Sequence, residues 1–480
     1  MNAINEAPKP KGKPLSRSEF LGKTAIAAAV FTIVPRHVLG GPGYFAPSDT
    51  LNMAMIGVGG QGTYDMKQFL QTEGVRMISL ADPNTEMDYS KTYFGGVAGR
   101  KPAQQIVNDH YAKDKKSGRY KGCTAYVDFN DMLAKEKDID AVGICTTDNV
   151  HAVATMAAIK LGKHVYTQKP LAHDIYEARM LAEAARKYGV ASQMGNQGHA
   201  GEGIRLISEW IADGAIGDVS EVHCWTNRPI RNWPQGVDRP KGKARVPRGL
   251  DWDQWIGPAP MRPFNPAYLP FVWRGWWDFG TGVMGDMGCH VMDIPVEALK
   301  LGHPTSVVAS STPVNDETAP LACLVNYEFP ARNGMPPVTM TWYDGGLQPP
   351  RPPELEEGRR IPTSGTIFVG SKGKIMCADY GDNARIIPET KMKAYTLPPK
   401  TIPRVPGIHQ NFVDAARGGE PATSNFDVAG PLTEIVLLTN LAIRAGRNVR
   451  LLWDGPNMKV TNVADANKYV QREYREGWSL

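Results

Sequence analysis

The chain has 480 residues, 42% of them hydrophobic and 21% charged, and a net charge of +5. That balance belongs to a globular protein long enough for two domains, and it excludes a chain too polar to bury a core. No lysine/arginine run of the nucleic-acid-binding kind occurs, so a polyanion partner is not expected. The six cysteines are scattered without a C-x-x-C and several stand in apolar runs, which predicts buried free thiols and no disulfides.

The first 45 residues read as an export leader. Lys9, Lys11, Lys13, Arg17 and Lys23 precede an apolar run over 25–34, too short to span a bilayer, and small residues follow around 40–43. The string Ser16-Arg17-Ser18-Glu19-Phe20-Leu21-Gly22-Lys23 resembles a twin-arginine signal with Ser18 in place of the second arginine. The expectation is a periplasmic protein with no integral membrane segment once the leader is removed. A basic leader on a cytoplasmic protein is the alternative.

Residues 51–66, LNMAMIGVGGQGTYDM, open the first domain, which we bound at 50–198. An apolar strand over 51–56 runs into Gly57-Val58-Gly59-Gly60-Gln61-Gly62, and a helix follows. Gly57 can make the tight turn, Gly59 lets the backbone approach a pyrophosphate, and Gly62 allows close helix–strand packing. A second strand over 75–80 leads to Asp82, 20 residues after Gly62, where a ribose-binding carboxylate belongs. The region up to 126 is polar and reads as a helix plus a loop insertion. A helix over 129–135 and a strand over 139–145 then end at Thr146-Thr147, and Asn149 and His151 open a further helix. Another strand, 164–167, ends at Gln168-Lys169-Pro170. A helix over 175–188 and a strand over 191–195 lead to Asn196-Gln197. Strands alternating with helices predict an α/β, doubly wound parallel sheet with ligands at the carboxyl ends of its strands. The cofactor is expected to be NAD rather than NADP, because Asp82 would accept ribose hydroxyls and repel a 2′-phosphate.

GVGGQG, TTDNVHAVATMAAIKLGKHV, QKPL and a distant DMGCH together resemble the glucose–fructose oxidoreductase/inositol dehydrogenase (Gfo/Idh/MocA) family, across nearly the whole chain from Leu51. The resemblance implies an N-terminal Rossmann domain and a C-terminal α+β domain with an open, mostly antiparallel sheet. It also implies a small carbohydrate substrate and a homo-oligomer, dimer or tetramer. The residues it places around the cofactor are Gly57, Gly59, Gly60, Gln61, Gly62, Asp82, Thr146, Thr147, Asn149, His151, Gln168, Lys169 and Asn196. Two departures stand out: Gln168 replaces the family's usual glutamate, and Asp148 its usual proline.

The second domain is expected over 199–430, for substrate binding and oligomer contacts, with helices of 431–480 packing back on the core. Seven of the 11 tryptophans fall in 223–280: Trp225, Trp233, Trp252, Trp255, Trp273, Trp276 and Trp277. Indole faces stack on the C–H faces of sugars, and arginines bond sugar hydroxyls. The segment can equally pack on itself. The substrate-binding candidates are Arg228, Trp273, Arg274, Trp277, Asp286 and His290. Asp286 and His290 are spaced i, i+4 and share one face of a helix. With Lys169 they match the family's catalytic group. A neutral imidazole can take a hydroxyl proton near pH 7, a carboxylate can position it, and a lysine cation can stabilise the developing alkoxide. A metal is disfavoured, since His290 has no second His or Cys at ligand spacing on its face. Asp293 reads as a supporting residue. Beyond 306, β-rich runs over 306–311, 321–329, 338–343, 365–370 and 374–378 predict the sheet, followed by helices over 409–416 and 431–445.

These features predict an NAD-dependent oxidoreductase acting on a ring hydroxyl of a sugar or glycoside, at C3. Two alternatives follow: an NAD-dependent glycoside hydrolase working by transient C3 oxidation and elimination, and a non-catalytic nucleotide-binding sensor.

Overall fold

The structure, a computed structural model, describes residues 50–229 and 233–480. The leader and its twin-arginine-like string lie outside the described residues.

Six strands build the first sheet: β1 (Leu51–Ile56), β2 (Val75–Ala81), β3 (Thr124–Tyr126), β4 (Ala141–Ile144), β5 (His164–Thr167) and β6 (Ser192–Met194). Their order is β3-β2-β1-β4-β5-β6 and every pairing is parallel. The four residues of β4 are all buried, as expected of a strand covered by helices on both faces. The strand order reverses between β1 and β4, which opens a crevice at their carboxyl ends. Helices α1 (Gly60–Gln71), α2 (Asp148–Lys160) and α3 (Ile175–Tyr188) follow β1, β4 and β5. A reciprocal capping box of Asp174 and Glu177 starts α3, and Gly189 at φ 63° ends it.

The insertion after Asp82 is more ordered than its polarity suggests. It contains a hairpin, Met87–Asp88 with Val97–Ala98, the helix Arg100–His110, and edge strand β3. Such two- and three-residue strands are too short to leave an alternating pattern in the sequence.

The second sheet has nine strands: β7 (Val219–Trp225), β8 (Ser306–Ser311), β9 (Cys323–Phe329), β10 (Val338–Tyr343), β11 (Gly365–Gly370), β12 (Lys374–Ala378), β13 (Arg385–Ile387), β14 (Arg450–Asp454) and β15 (Lys459–Val460). Their order is β13-β12-β11-β7-β10-β9-β8-β14-β15, antiparallel throughout except for β7 with β10. The helices that bear on the site later in the chain are α4 (Gly282–Val291), α5 (Ile408–Ala416) and α6 (Phe426–Ala445). Helix α6 begins before Pro431, not at it: the Asn425 side chain caps its first turn and Phe426 is buried, so the helix runs through the proline. By length and composition α6 could cross a membrane, but 78% of its apolar window is buried within the protein, as in a core helix. Arg179 of α3 donates to Glu434 of α6 through Nε at 2.6 Å, and the Tyr327 hydroxyl of β9 donates to the Ile435 carbonyl at 3.1 Å. One helix thereby ties both sheets together.

Candidate active site

The carboxyl ends of β1 and β4 meet at Gly57. A Cβ there would stand 2.7 Å from the Cys145 carbonyl carbon, and one on Gly62 would stand 2.0 Å from the Gly57 oxygen. Both glycines are therefore required by packing, Gly57 also by its φ of 81°. From Gly59 the chain enters α1, whose first amides have no intrahelical partner. Asp82 ends β2 nearby, with Oδ2 accepting from the Val58 N–H and Oδ1 from the Asn84 N–H, both at 2.8 Å. Burial raises its pKa, although these two amides and Arg100 oppose that.

A cleft of about 1290 Å³ runs from this loop into the second domain. Of the residues expected at the cofactor, Gly57, Gly59, Gly60, Gln61, Asp82, Thr146, Thr147, His151, Gln168 and Lys169 line it. Gly62 lies beneath the loop. Asn149 is consumed elsewhere, its Nδ2 donating to the Ile256 carbonyl at 2.8 Å and its Oδ1 accepting from Thr147 Oγ1. Asn196 is fully buried, bonded to Asp293 through Nδ2 (3.1 Å) and to Ser424 through Oδ1 (2.6 Å). Neither side chain reaches the cleft lining.

The residues present fit a dinucleotide. Free amides at the start of a 12-residue helix, a glycine approach and a ribose-facing carboxylate stand together. The Tyr89 hydroxyl stands against Gly59 and the Phe94 ring against Gly60, where the backbone would approach a pyrophosphate. Nothing in the sequence marked Tyr89 or Phe94, because both come from the polar insertion.

At the other end of the cleft Lys169 follows β5. Its Nζ donates to the Asp286 carbonyl (2.8 Å) and to Asp286 Oδ1 (2.9 Å), and Arg274 Nε donates to the same Oδ1 at 3.1 Å. Two cations thus converge on one carboxylate oxygen, and Oδ2 has no donor among the described residues. Asp286 is buried, which alone would raise its pKa, but Lys169, Arg274 and Arg228 reverse that and hold it well below the usual carboxylate range. One turn on in α4 lies His290. Burial pushes its pKa down to about 3, with Lys169 and Arg228 adding to the effect. Its Nδ1 is buried without a partner among the described residues. A buried, unsatisfied ring nitrogen costs about 1–3 kcal/mol unless something binds there. Asp293, the nearest carboxylate along the chain, turns away to His199, Oδ1 to Nδ1 at 2.8 Å.

The two departures from the family pattern both have partners. Asp148 accepts from the Thr281 hydroxyl (2.6 Å) and the Thr281 N–H (3.0 Å), so its carboxylate pins the start of α4 to the start of α2. Gln168 donates through Nε2 to Asp65 Oδ2 at 2.7 Å, and Asp65 also accepts from Gln61 Nε2 at 3.1 Å on Oδ1, with His409 Nε2 3.1 Å from that oxygen. The Asp65 carboxyl on α1 therefore faces a neutral amide at position 168. His409 meets the Rossmann domain here, beneath the glycine loop. Asp65 carried no signal in the sequence, since its partners lie up to 344 positions away.

The tryptophans divide. Trp255 and Trp273 line the cleft. Both also pack, with Trp252 and Trp276, on a small core of Phe264, Tyr268 and Phe279. Trp277 is buried, its Nε1 donating to the Asn315 carbonyl at 3.3 Å, and it lines a second cavity with Arg444 rather than the cleft. The self-packing reading holds for most of the segment. Trp273 instead stacks under Arg274, 4.3 Å from guanidinium to ring centroid.

Residues 51–196 match the family model described as "Oxidoreductase family, NAD-binding Rossmann fold", and residues 232–322 match its companion, "Oxidoreductase family, C-terminal alpha/beta domain". The two matched segments carry the domain pair of the Gfo/Idh/MocA oxidoreductase family. The chain binds NAD. A 1,5-anhydro-D-fructose reductase from Ensifer adhaerens is 30% identical over 183 residues, 36% of this chain and 43% of the relative. A glycosyl hydrolase family 109 protein from Shewanella pealeana is 24% identical over 247 residues, 48% and 50% of the two chains. The chain thus spans half or less of the length of the curated relatives it matches. The WlbA dehydrogenase from Bordetella pertussis, solved in complex with NADH and UDP-GlcNAcA, shares the fold at a TM-score of 0.53 and 14% identity, covering 84% of this chain and 99% of that one.

The buried imidazoles set an acid limit on stability. His151 and His173, like His290, have pKa values lowered chiefly by burial. Below about pH 6.5 the unfolded chain binds protons that these rings refuse in the fold, so stability falls as pH drops towards 3 and is flat above 6.5. The melting temperature should therefore decline steeply from pH 6.5 to pH 4, and His290→Asn should flatten part of that slope.

Proposed function

We propose that this protein is an exported, NAD-dependent sugar oxidoreductase that converts a ring hydroxyl of a sugar or glycoside, at C3, to a ketone. The observation that carries this reading is the convergence of Lys169, Arg274 and Asp286 at one end of a dinucleotide cleft, one helical turn from a neutral buried imidazole. Bound NAD supplies the hydride acceptor. The hydroxyl enters the cleft beside Lys169. Its proton passes to His290, one turn behind the Asp286 that lines the cleft, and the Asp286 carboxylate stabilises the imidazolium that forms. Lys169, held by the Asp286 carbonyl and carboxylate, stabilises the oxyanion as carbon loses hydride. Trp273, braced by Arg274, offers an apolar face to the sugar ring. Because His290 stays neutral to about pH 3, kcat/KM should show no acid inflection near the 6.5 of a free imidazole.

Outside the cytoplasm no NAD pool replenishes the site, so the reading requires tight nucleotide retention and recycling by a second sugar or within one turnover. Its working form is a homo-oligomer, dimer or tetramer, as the family resemblance implies. The likeness to the family 109 glycosyl hydrolase protein supports a second reading, in which transient oxidation at C3 acidifies the C2 proton, the aglycone is eliminated, and reduction restores the sugar. A chromogenic aryl glycoside separates the two. Release of the aryl alcohol without net NADH supports the hydrolase, and a 3-keto product supports the oxidoreductase.

A further inference from the structure

The turn Asp379–Gly381 joins β12 to β13 and carries Tyr380 at φ 61°, ψ 8°, in the left-handed region that a side chain with a Cβ disfavours. The turn is clamped there. A Cβ on Gly198 would stand 3.0 Å from the Tyr380 Cα, and one on Gly203 would stand 2.1 Å from the Gly381 oxygen, so two glycines let the backbones approach. Glycine or asparagine at 380 would relieve the strain, yet a tyrosine occupies it. Strained side chains of this kind concentrate at functional sites.

The Tyr380 ring meets the His290 imidazole edge-on, centroids 4.7 Å apart and planes at 68°. Its hydroxyl has no hydrogen-bond partner among the described residues, and the charged and titratable groups around it are Asp379, Asp286, Arg228 and Tyr93. Burial pushes its pKa up to about 12, which keeps it a donor at any working pH. The Arg228 guanidinium acts on Asp286, His290, Asp379 and Tyr380 alike. It lies 5.8 Å over the Trp233 ring and has no ion pair or side-chain acceptor among the described residues. A phenol donor against the imidazole and a guanidinium whose charge reaches it thus both lack side-chain hydrogen-bond partners among those residues.

We propose that Tyr380, with Arg228, binds the hydroxyl next to the one oxidised, so that the site selects rings carrying adjacent hydroxyls. This rests on the sugar-oxidation reading above. Tyr380 is then both a substrate contact and the wall that fixes the face of His290, whose Nδ1 has no partner among the described residues to orient it.

The test uses the full chain with bound NAD and whichever of D-glucose, D-galactose, myo-inositol or their methyl glycosides reduces the nicotinamide fastest, together with the deoxy analogues of that compound at the carbons flanking the reacting one. Tyr380→Phe should raise KM about tenfold for the parent compound with little change in kcat, and should leave the affected deoxy analogue at its wild-type KM. Tyr380→Gly should melt no lower than wild type, because the strain is gone, while losing the same discrimination. Equal effects of Tyr380→Phe on parent and analogue, or no effect on either, overturn the inference while an active wild type leaves the sugar-oxidation reading standing. A wild-type protein that reduces nicotinamide with none of the compounds overturns both.

Discussion

Lys169→Ala is expected to lower kcat/KM for the best sugar by about 10³-fold while the protein still purifies with its nucleotide. The variant should fold, because Arg274 Nε remains 3.1 Å from Asp286 Oδ1 and the buried carboxylate keeps a counter-charge. What disappears is the cation that Asp286 positions for the developing oxyanion. His290→Asn should cost a similar factor by a different route, removing the proton acceptor while retaining a polar side chain of comparable size. Single-turnover absorbance of the nicotinamide separates these losses from a loss of cofactor, which mass spectrometry of the released nucleotide would count. A sensor without chemistry makes the opposite forecast, that both variants keep the ligand response.

The second large effect concerns Gln168, one of the two positions where this chain departs from the family pattern it resembles. Gln168→Glu would set a second buried carboxylate against Asp65, whose Oδ2 is now 2.7 Å from the Gln168 amide nitrogen. Breaking a buried polar pair into two like charges costs roughly 3–5 kcal/mol, or forces one of them to hold a proton. A carboxylate whose folded pKa is raised carries its penalty above the unfolded value near 4 and loses it as pH falls below. The variant should therefore melt far below wild type at pH 8 and close to it at pH 4. Adding Asp65→Asn should restore stability, since an asparagine can keep an oxygen towards Gln61 and His409 and turn its amide to the introduced carboxylate. A double variant no more stable than Gln168→Glu alone would show that Asp65 is not the displaced charge.

The glycine loop, Asp82 and the strand ends at Thr146 and Lys169 were legible because they are local. A tight turn, a helix start and an apolar strand write themselves into a few consecutive residues. The i, i+4 spacing of Asp286 and His290 was legible for the same reason. Asp65, Tyr89 and Tyr380 were not, because their meaning lies in partners brought together only by the fold. Tyr89 reaches Gly59 from a polar insertion, and Tyr380 meets His290 from the end of a different sheet. The tryptophans show the converse limit. Composition placed seven of them in one segment, but only the structure could show that Trp252, Trp255, Trp273 and Trp276 share one small core and that Trp255 and Trp273 alone of these four also line the cleft. Asp148 likewise gains its reason only when Thr281 arrives from 133 residues away.

The central claim, a resident nucleotide used for sugar oxidation, is tested most directly by one observation. The purified full chain, with no NAD added, is mixed with a panel of sugars and glycosides and the reduced-nicotinamide absorbance is followed through a single turnover. The account predicts one equivalent of NADH per bound nucleotide with at least one carbohydrate, and its loss in Lys169→Ala. A protein that releases NAD on dilution, or that retains it and reduces none of it with any carbohydrate, would contradict the account.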